Sequence, residues 1–186
     1  MTEEQPMTED VHEYRIVRRG ARDHRIAVID GPNMSNLGAR AKKVYGDIGS
    51  LDDLKAYVAE FGRRLGVTVE SFSSNYEGAI LEYIHESADR VDAYIVNPAG
   101  LTTVGEGMRH ALEETGHPVV EVHFANIQAG AGHGRGLGGG SLTSSFTHTA
   151  TGLTMGLRQY SYIGALTALV AALDDECFLG APRDDD

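Results

Sequence analysis

Two short spacings in the chain bring together groups that could move protons. Glu121 and His123 stand one residue apart in the run Pro118-Val-Val-Glu-Val-His123, which reads as a β-strand. Alternation along a strand puts both side chains on one face, at its carboxyl end. A carboxylate beside an imidazole fixes the ring tautomer and favours the imidazolium, which then serves as a general acid. A buried structural pair would use the same two residues. Arg40 precedes Tyr45 in a polar loop. A nearby cation lowers the pKa of a phenol. Bringing that value from about 10 to neutrality takes roughly 3 units, or about 4 kcal/mol, which one or two guanidiniums in a dry site can supply. A surface arginine and tyrosine in a flexible loop would show the same spacing. Asn97 closes another strand, where its amide suits a substrate, an oxyanion or simply a turn.

These residues need elements to hold them, and the hydropathy pattern supplies a consistent set. Arg25–Asp30 reads as a buried strand, followed by a Gly-Pro-Asn turn and a long polar loop to Ser50. Leu51, Leu54, Val58, Phe61 and Leu65 recur at helical spacing, with Ser50 as N-cap, Asp52 and Asp53 in the first turn, and Gly66 as the stop. Val67–Ser73 is a strand, Glu77–Ser87 a helix, Ala93–Asn97 a strand and Gly105–Glu114 a helix. Pro118–His123 is the fourth strand, Gly152–Leu157 a fifth, and Tyr160–Leu173 the last helix. Strands alternating with helices predict an α/β fold, a five-stranded parallel sheet covered on both faces. Ligands of such sheets bind beyond the carboxyl ends of the strands. Asp30–Asn33, Ser73–Tyr76, Asn97–Thr103 and Glu121–Gln128 lie there.

Composition bounds the function. The 186 residues suit one domain, 25–174, between a flexible arm (1–24) and an acidic tail (175–186). The stretch Arg15–Arg25 holds five arginines (15, 18, 19, 22 and 25), which fit a solvated tail or a segment docking on an acidic neighbour. A formal charge of −11 argues against a nucleic-acid partner, which needs net basic patches. The single cysteine, Cys177, excludes an internal disulfide framework or a Cys-rich zinc site, and the histidine spacings point to no metal. No apolar run suits a membrane span, and the polar N-terminus is no secretory signal, so the cytoplasm is the expected compartment. Neither a Gly-x-Gly-x-x-Gly nor a Gly-x-Ser-x-Gly motif is present. The insertion at 129–143 contains seven glycines between Gly130 and Gly140, with Arg135 their one charged companion; it reads as a mobile flap or a disordered insert.

Five segments in order resemble the type II 3-dehydroquinate dehydratase family. They are Gly31-Pro-Asn-Met-Ser-Asn-Leu-Gly38 with Arg40 and Tyr45-Gly46; Ser73-Ser-Asn-Tyr-Glu-Gly78; Tyr83-Ile-His-Glu86; Asn97-Pro-Ala-Gly-Leu-Thr102; and Val120-Glu-Val-His123. The resemblance spans Arg25 to Leu173 and implies a flavodoxin-like three-layer sandwich. It implies a cofactor-free, metal-free anti elimination of water from 3-dehydroquinate, giving 3-dehydroshikimate through an enolate. In that scheme Tyr45, assisted by Arg40, is the base. Asn33 helps stabilise the enolate, His123 protonates the departing hydroxyl, Glu121 orients His123, and Asn97 positions substrate. Phe124 and Ala125 stand in the loop that binds the substrate's carboxylate. A homo-oligomer, trimer or dodecamer, is implied as well.

The departures concern the groups that read ring hydroxyls. Thr103 stands where the family has a histidine, His110 where it has an aspartate that reaches into a neighbouring site, and Ala125 where it has a serine. The glycine-rich insertion replaces the usual flap, leaving Arg135 as the substitute cation. Lost polar contacts should weaken 3-dehydroquinate binding by about a few kcal/mol. Two other readings therefore stand beside the first. One is a diverged enzyme of a specialised pathway, acting by dehydration, proton transfer or cyclisation on a less hydroxylated ketone. The other is a non-catalytic scaffold, which would have no use for the whole Tyr45, Arg40, Glu121 and His123 set.

Overall fold

The computed structural model describes Arg18 and residues 20–129 and 142–181. Five parallel strands form one sheet: β1 (Arg25–Asp30), β2 (Thr68–Ser73), β3 (Ala93–Asn97), β4 (Val119–His123) and β5 (Gly152–Met155). Their spatial order, β2-β1-β3-β4-β5, is the flavodoxin-like arrangement. Five α-helices accompany them: α1 (Lys42–Tyr45), α2 (Leu51–Leu65), α3 (Glu77–Ser87), α4 (Glu106–Glu114) and α5 (Tyr160–Leu173).

Both faces of the sheet are apolar, so each needs a helical cover. Ile26, Val28, Ala93, Ile95, Val120 and Val122 pack with Leu54 and Val58 of α2 and Leu166 and Leu169 of α5. The alternate residues Ala27, Ile29, Tyr94 and Val96 pack with Ile80 and Ile84 of α3 and Met108 and Leu112 of α4. Each fully buried aliphatic side chain contributes about 2 kcal/mol of transfer free energy. The α2 boundaries follow the expected chemistry. Ser50 Oγ accepts from the Asp53 N–H at 3.0 Å, and Gly66 closes the helix in the left-handed region with φ 71°.

The stretch from Asn33 to Gly49 differs from the expected irregular loop. It holds a 3-10 segment, Met34–Ala39, and the single turn α1. Met34 and Leu37 anchor the segment in the core beneath α2 and α5. The fifth strand is shorter than expected, ending at Met155, because Gly156 turns the chain at φ 91°.

The described part of the arm is docked. Arg18 forms two 2.8 Å contacts with Asp174, whose other neighbour is the buried His24. The Arg18 guanidinium, against burial and with help from His24, holds the Asp174 carboxyl far below its ordinary value. Thus the acidic partner of the basic arm is, for Arg18, this chain's own last helix. The remainder of the predicted arm, most of the insertion and the end of the tail lie outside the described residues. Leu142 N–H donates to Ile127 O at 2.7 Å, pairing the described residues on either side of the insertion.

Candidate active site

At the end of β4, His123 and Glu121 are buried, 4% and 0% exposed. His123 Nε2 donates to Glu121 Oε1 at 2.6 Å, and Thr147 Oγ donates to Glu121 Oε2 at 2.5 Å. Burial pushes the Glu121 carboxyl up. Hydrogen bonds from His123, Ser144 and Thr147 outweigh that and hold it below the ordinary value. A carboxylate that only accepts requires a proton on Nε2, leaving Nδ1 as the nitrogen that can exchange one with a ligand.

The second pair forms one stack. The Arg40 guanidinium lies over the Tyr45 ring, 4.2 Å from its centroid. Tyr45 is buried and leans on Phe124, with ring centroids 5.8 Å apart. Phe124 directly follows His123, so Tyr45 touches the neighbour of the imidazole. Consecutive residues face opposite sides of the strand. Phe124 joins Tyr45 on the α2 and α5 side, while His123 shares its side with Glu121. A ligand reaching both must therefore sit across the carboxyl end of β4.

Asn97 occupies the equivalent end of β3, and its amide is engaged by protein groups. Nδ2 donates to Tyr162 Oη at 2.8 Å and contacts Met34 Sδ at 3.2 Å; Oδ1 accepts from Ala99 N–H at 3.1 Å. Tyr162 Oη donates to Asp30 Oδ1 at 2.5 Å. The Arg40 guanidinium reaches the same Met34 sulfur at 3.9 Å. Asp30, Asn97, Met34 and Arg40 thus make a continuous line from the sheet to the Tyr45 stack. Burial also lowers the Arg40 pKa from its ordinary value.

The other candidates are spread more widely. Asn33 is exposed on the turn after β1, with φ 75°, and its N–H donates to Asn75 Oδ1 at 2.7 Å. Thr103 is exposed beyond β3, and Ala125 is half-buried after β4. His110 is exposed on α4, its ring 2.6 Å from Arg109. Arg135 lies outside the described residues. A cavity of about 1180 Å³ opens at the opposite pole, lined by residues such as His24, Asp92 and Asp174. Ligands of parallel sheets favour the carboxyl ends, and the paired acid-base groups are there.

The sequence profile described as class II dehydroquinase matches residues 24–170. The chain belongs to the class II dehydroquinase family. It is 43% identical over 105 residues to the 3-dehydroquinate dehydratase of Desulforudis audaxviator, covering 56% of this chain and 69% of that one. It is 36% identical over 153 residues to the 3-dehydroquinate dehydratase of Halothermothrix orenii, covering 79% of this chain and 94% of that one. The crystal structure of the type II dehydroquinase from Propionibacterium acnes superposes with a TM-score of 0.70 at 31% identity, covering 81% of this chain and 99% of that one.

Several neighbours of the candidate groups in this class II dehydroquinase chain carry no signal in the sequence. Thr147 reaches Glu121 from beyond the insertion, at a distance along the chain that no spacing rule anticipates. Met34 reads as an ordinary core residue, yet its sulfur touches both Asn97 and Arg40. Asp30 and Tyr162 end a strand and start a helix; only the fold makes them partners.

Proposed function

We propose that the chain is a hydro-lyase that removes water from 3-dehydroquinate to give 3-dehydroshikimate, a conjugated enone. One observation carries this reading most: the Glu121–His123 pair and the Arg40–Tyr45 stack flank the end of β4 from its two faces, linked through Phe124. Family membership supports the same reaction.

Tyr45, as phenolate, removes the proton alpha to the substrate ketone. The Arg40 guanidinium favours that anion, since a cation on the ring stabilises the charged form. The electron pair becomes an enolate, and Asn33 helps hold its oxygen. Reforming the ketone expels the hydroxyl, which takes a proton from His123 and leaves as water. Glu121 keeps that imidazole oriented. Asn97 acts on the substrate through the turn that it fixes at Ala99. In this reading the Phe124–Ala125 segment serves the carboxylate end of the substrate and Thr103 its hydroxyls, with Arg135 of the insertion as the substitute cation. A cytoplasmic homo-oligomer, a trimer or a dodecamer, belongs to this reading. The exposed His110 on α4 is then available to a neighbouring subunit.

The test is ultraviolet detection of the enone after mixing purified protein with 3-dehydroquinate. Turnover is expected, and Tyr45→Phe and His123→Ala should each reduce kcat by about 100-fold or more. Full activity of both variants would overturn the assignment. Inert 3-dehydroquinate, with loss of water from a less hydroxylated ketone in a mass-spectrometric screen, would instead favour the diverged enzyme; Thr103 and Ala125 at hydroxyl- and carboxylate-reading positions favour that second reading.

A further inference from the structure

The turn that follows β5 borders the candidate site. Gly156 N–H donates to His123 O at 3.3 Å, and Arg158 N–H donates to Phe124 O at 2.8 Å. This turn is therefore stitched to the same strand end that presents the imidazole. Arg158 adopts φ 54°, inside the left-handed region that disfavours non-glycine residues. Glycine would take this conformation without strain. An arginine held there points to a use for its side chain.

That side chain lies on Gly46, the residue after Tyr45. A Cβ built on Gly46 would stand 3.2 Å from Arg158 Cδ and 3.7 Å from Arg158 Nη1. Gly46 is itself buried, at φ 78°. Gln159 Oε1 also comes within 3.2 Å of that Cβ position, buried and without a hydrogen-bond partner among the described residues. Thus the Tyr45–Gly46 turn is braced by Arg158 on one side, while Arg40 covers the Tyr45 ring.

We propose that Arg158 is a positioning residue for Tyr45, bracing the Tyr45–Gly46 turn and adding a second positive charge beside the phenol. The proposal rests on the reading of Tyr45 as the base. Other charged and titratable groups surround Tyr45. Arg40 stacks on it, Lys42 and Asp47 pair at 3.8 Å on its own segment, Tyr162 and Asp30 lie behind Phe124, and Glu121 and His123 end β4. Of the cations in that set, Arg158 alone is tied by its backbone to the strand of the acid and by its side chain to the turn of the base.

Arg158→Gly tests this cleanly, because it removes the charge and relieves the backbone at once. The variant should melt no lower than the parent. Two readouts apply. Tyrosinate absorbance, taken as the difference between each protein and its Tyr45→Phe counterpart, gives the ionisation midpoint of Tyr45 without any substrate. The acidic limb of kcat/KM reports the same group kinetically, in the free enzyme. Both should move up by about half a unit to one unit, while Arg158→Lys keeps most of the parent value. Arg158→Asn, which also tolerates the left-handed region, serves as a second uncharged variant should glycine loosen the turn. An unmoved absorbance midpoint in both uncharged variants overturns the proposal, even if kcat/KM falls evenly at every pH. Absence of turnover with a shifted midpoint counts against the dehydratase reading and leaves the role of Arg158 standing.

Discussion

Glu121 shows how one buried carboxylate sets the chemistry of its neighbour. One of its oxygens accepts from His123 and the other from Thr147, and Ser144 adds a further hydrogen bond. Burial opposes its charge, yet the hydrogen bonds keep it ionised below the usual carboxylate range. The 2.6 Å hydrogen bond fixes the ring proton on His123 Nε2 and, with it, the orientation of the imidazole. Glu121→Gln retains the shape and loses the charge. It should lower kcat by about 100-fold, because the amide no longer presents an acceptor alone to Nε2 and so holds the ring less firmly. Initial rates of parent and variant at saturating substrate check this. An unchanged kcat would mean that the orientation of His123 does not depend on that carboxylate.

The turn after β3 illustrates how an element end accepts strain to hold a side chain. Ala99 sits at φ 50°, and its N–H donates to Asn97 Oδ1 at 3.1 Å. A left-handed alanine costs about 1–3 kcal/mol, part of which glycine gives back through its freer unfolded chain. Ala99→Gly should therefore stabilise the fold by about 1 kcal/mol, measured as a shift in the urea midpoint at constant slope. The sequence foretold this element and most others, because β1, α3, β3 and α5 carry unbroken apolar periodicity between clear stops. The Asn33–Gly49 stretch was opaque for the opposite reason. Its turns are a few residues long, and Met34 and Leu37 are too few to set a period. Glu121 and His123 were legible because strand alternation alone pairs them. The Asp30–Tyr162–Asn97 contacts were not, since they join β1, α5 and β3 across 132 residues of sequence.

Across the whole molecule, strain and unfavourable burial gather at one edge of the sheet. Among the described residues, the non-glycine positions with positive φ are Asn33, Ala99 and Arg158, which follow β1, β3 and β5. Asp30 is at the same edge, fully buried. Burial pushes its carboxyl up to about 6 from an ordinary 3.8, although Tyr162, Asn97 and Lys55 pull it down. The fold therefore favours the protonated form. The native state holds more protons than the unfolded chain between those values, so stability falls as pH rises through that window and stays lower above it. A shift of about two units corresponds to about 3 kcal/mol. Asp30→Asn keeps an acceptor for the Tyr162 hydroxyl and carries no charge. It should be more stable than the parent by up to about 3 kcal/mol at pH 8, the gap closing toward pH 4. Urea unfolding at several pH values reads the difference directly. Equal stability at pH 8 would mean that Tyr162 and Asn97 solvate the carboxylate as well as water does. The opposite pole, where Arg18 and His24 enclose an ionised Asp174, gains stability as pH rises through the carboxylate range. Opposing pH slopes at the two ends of one sheet separate the edge that carries the chemistry from the edge that anchors the chain.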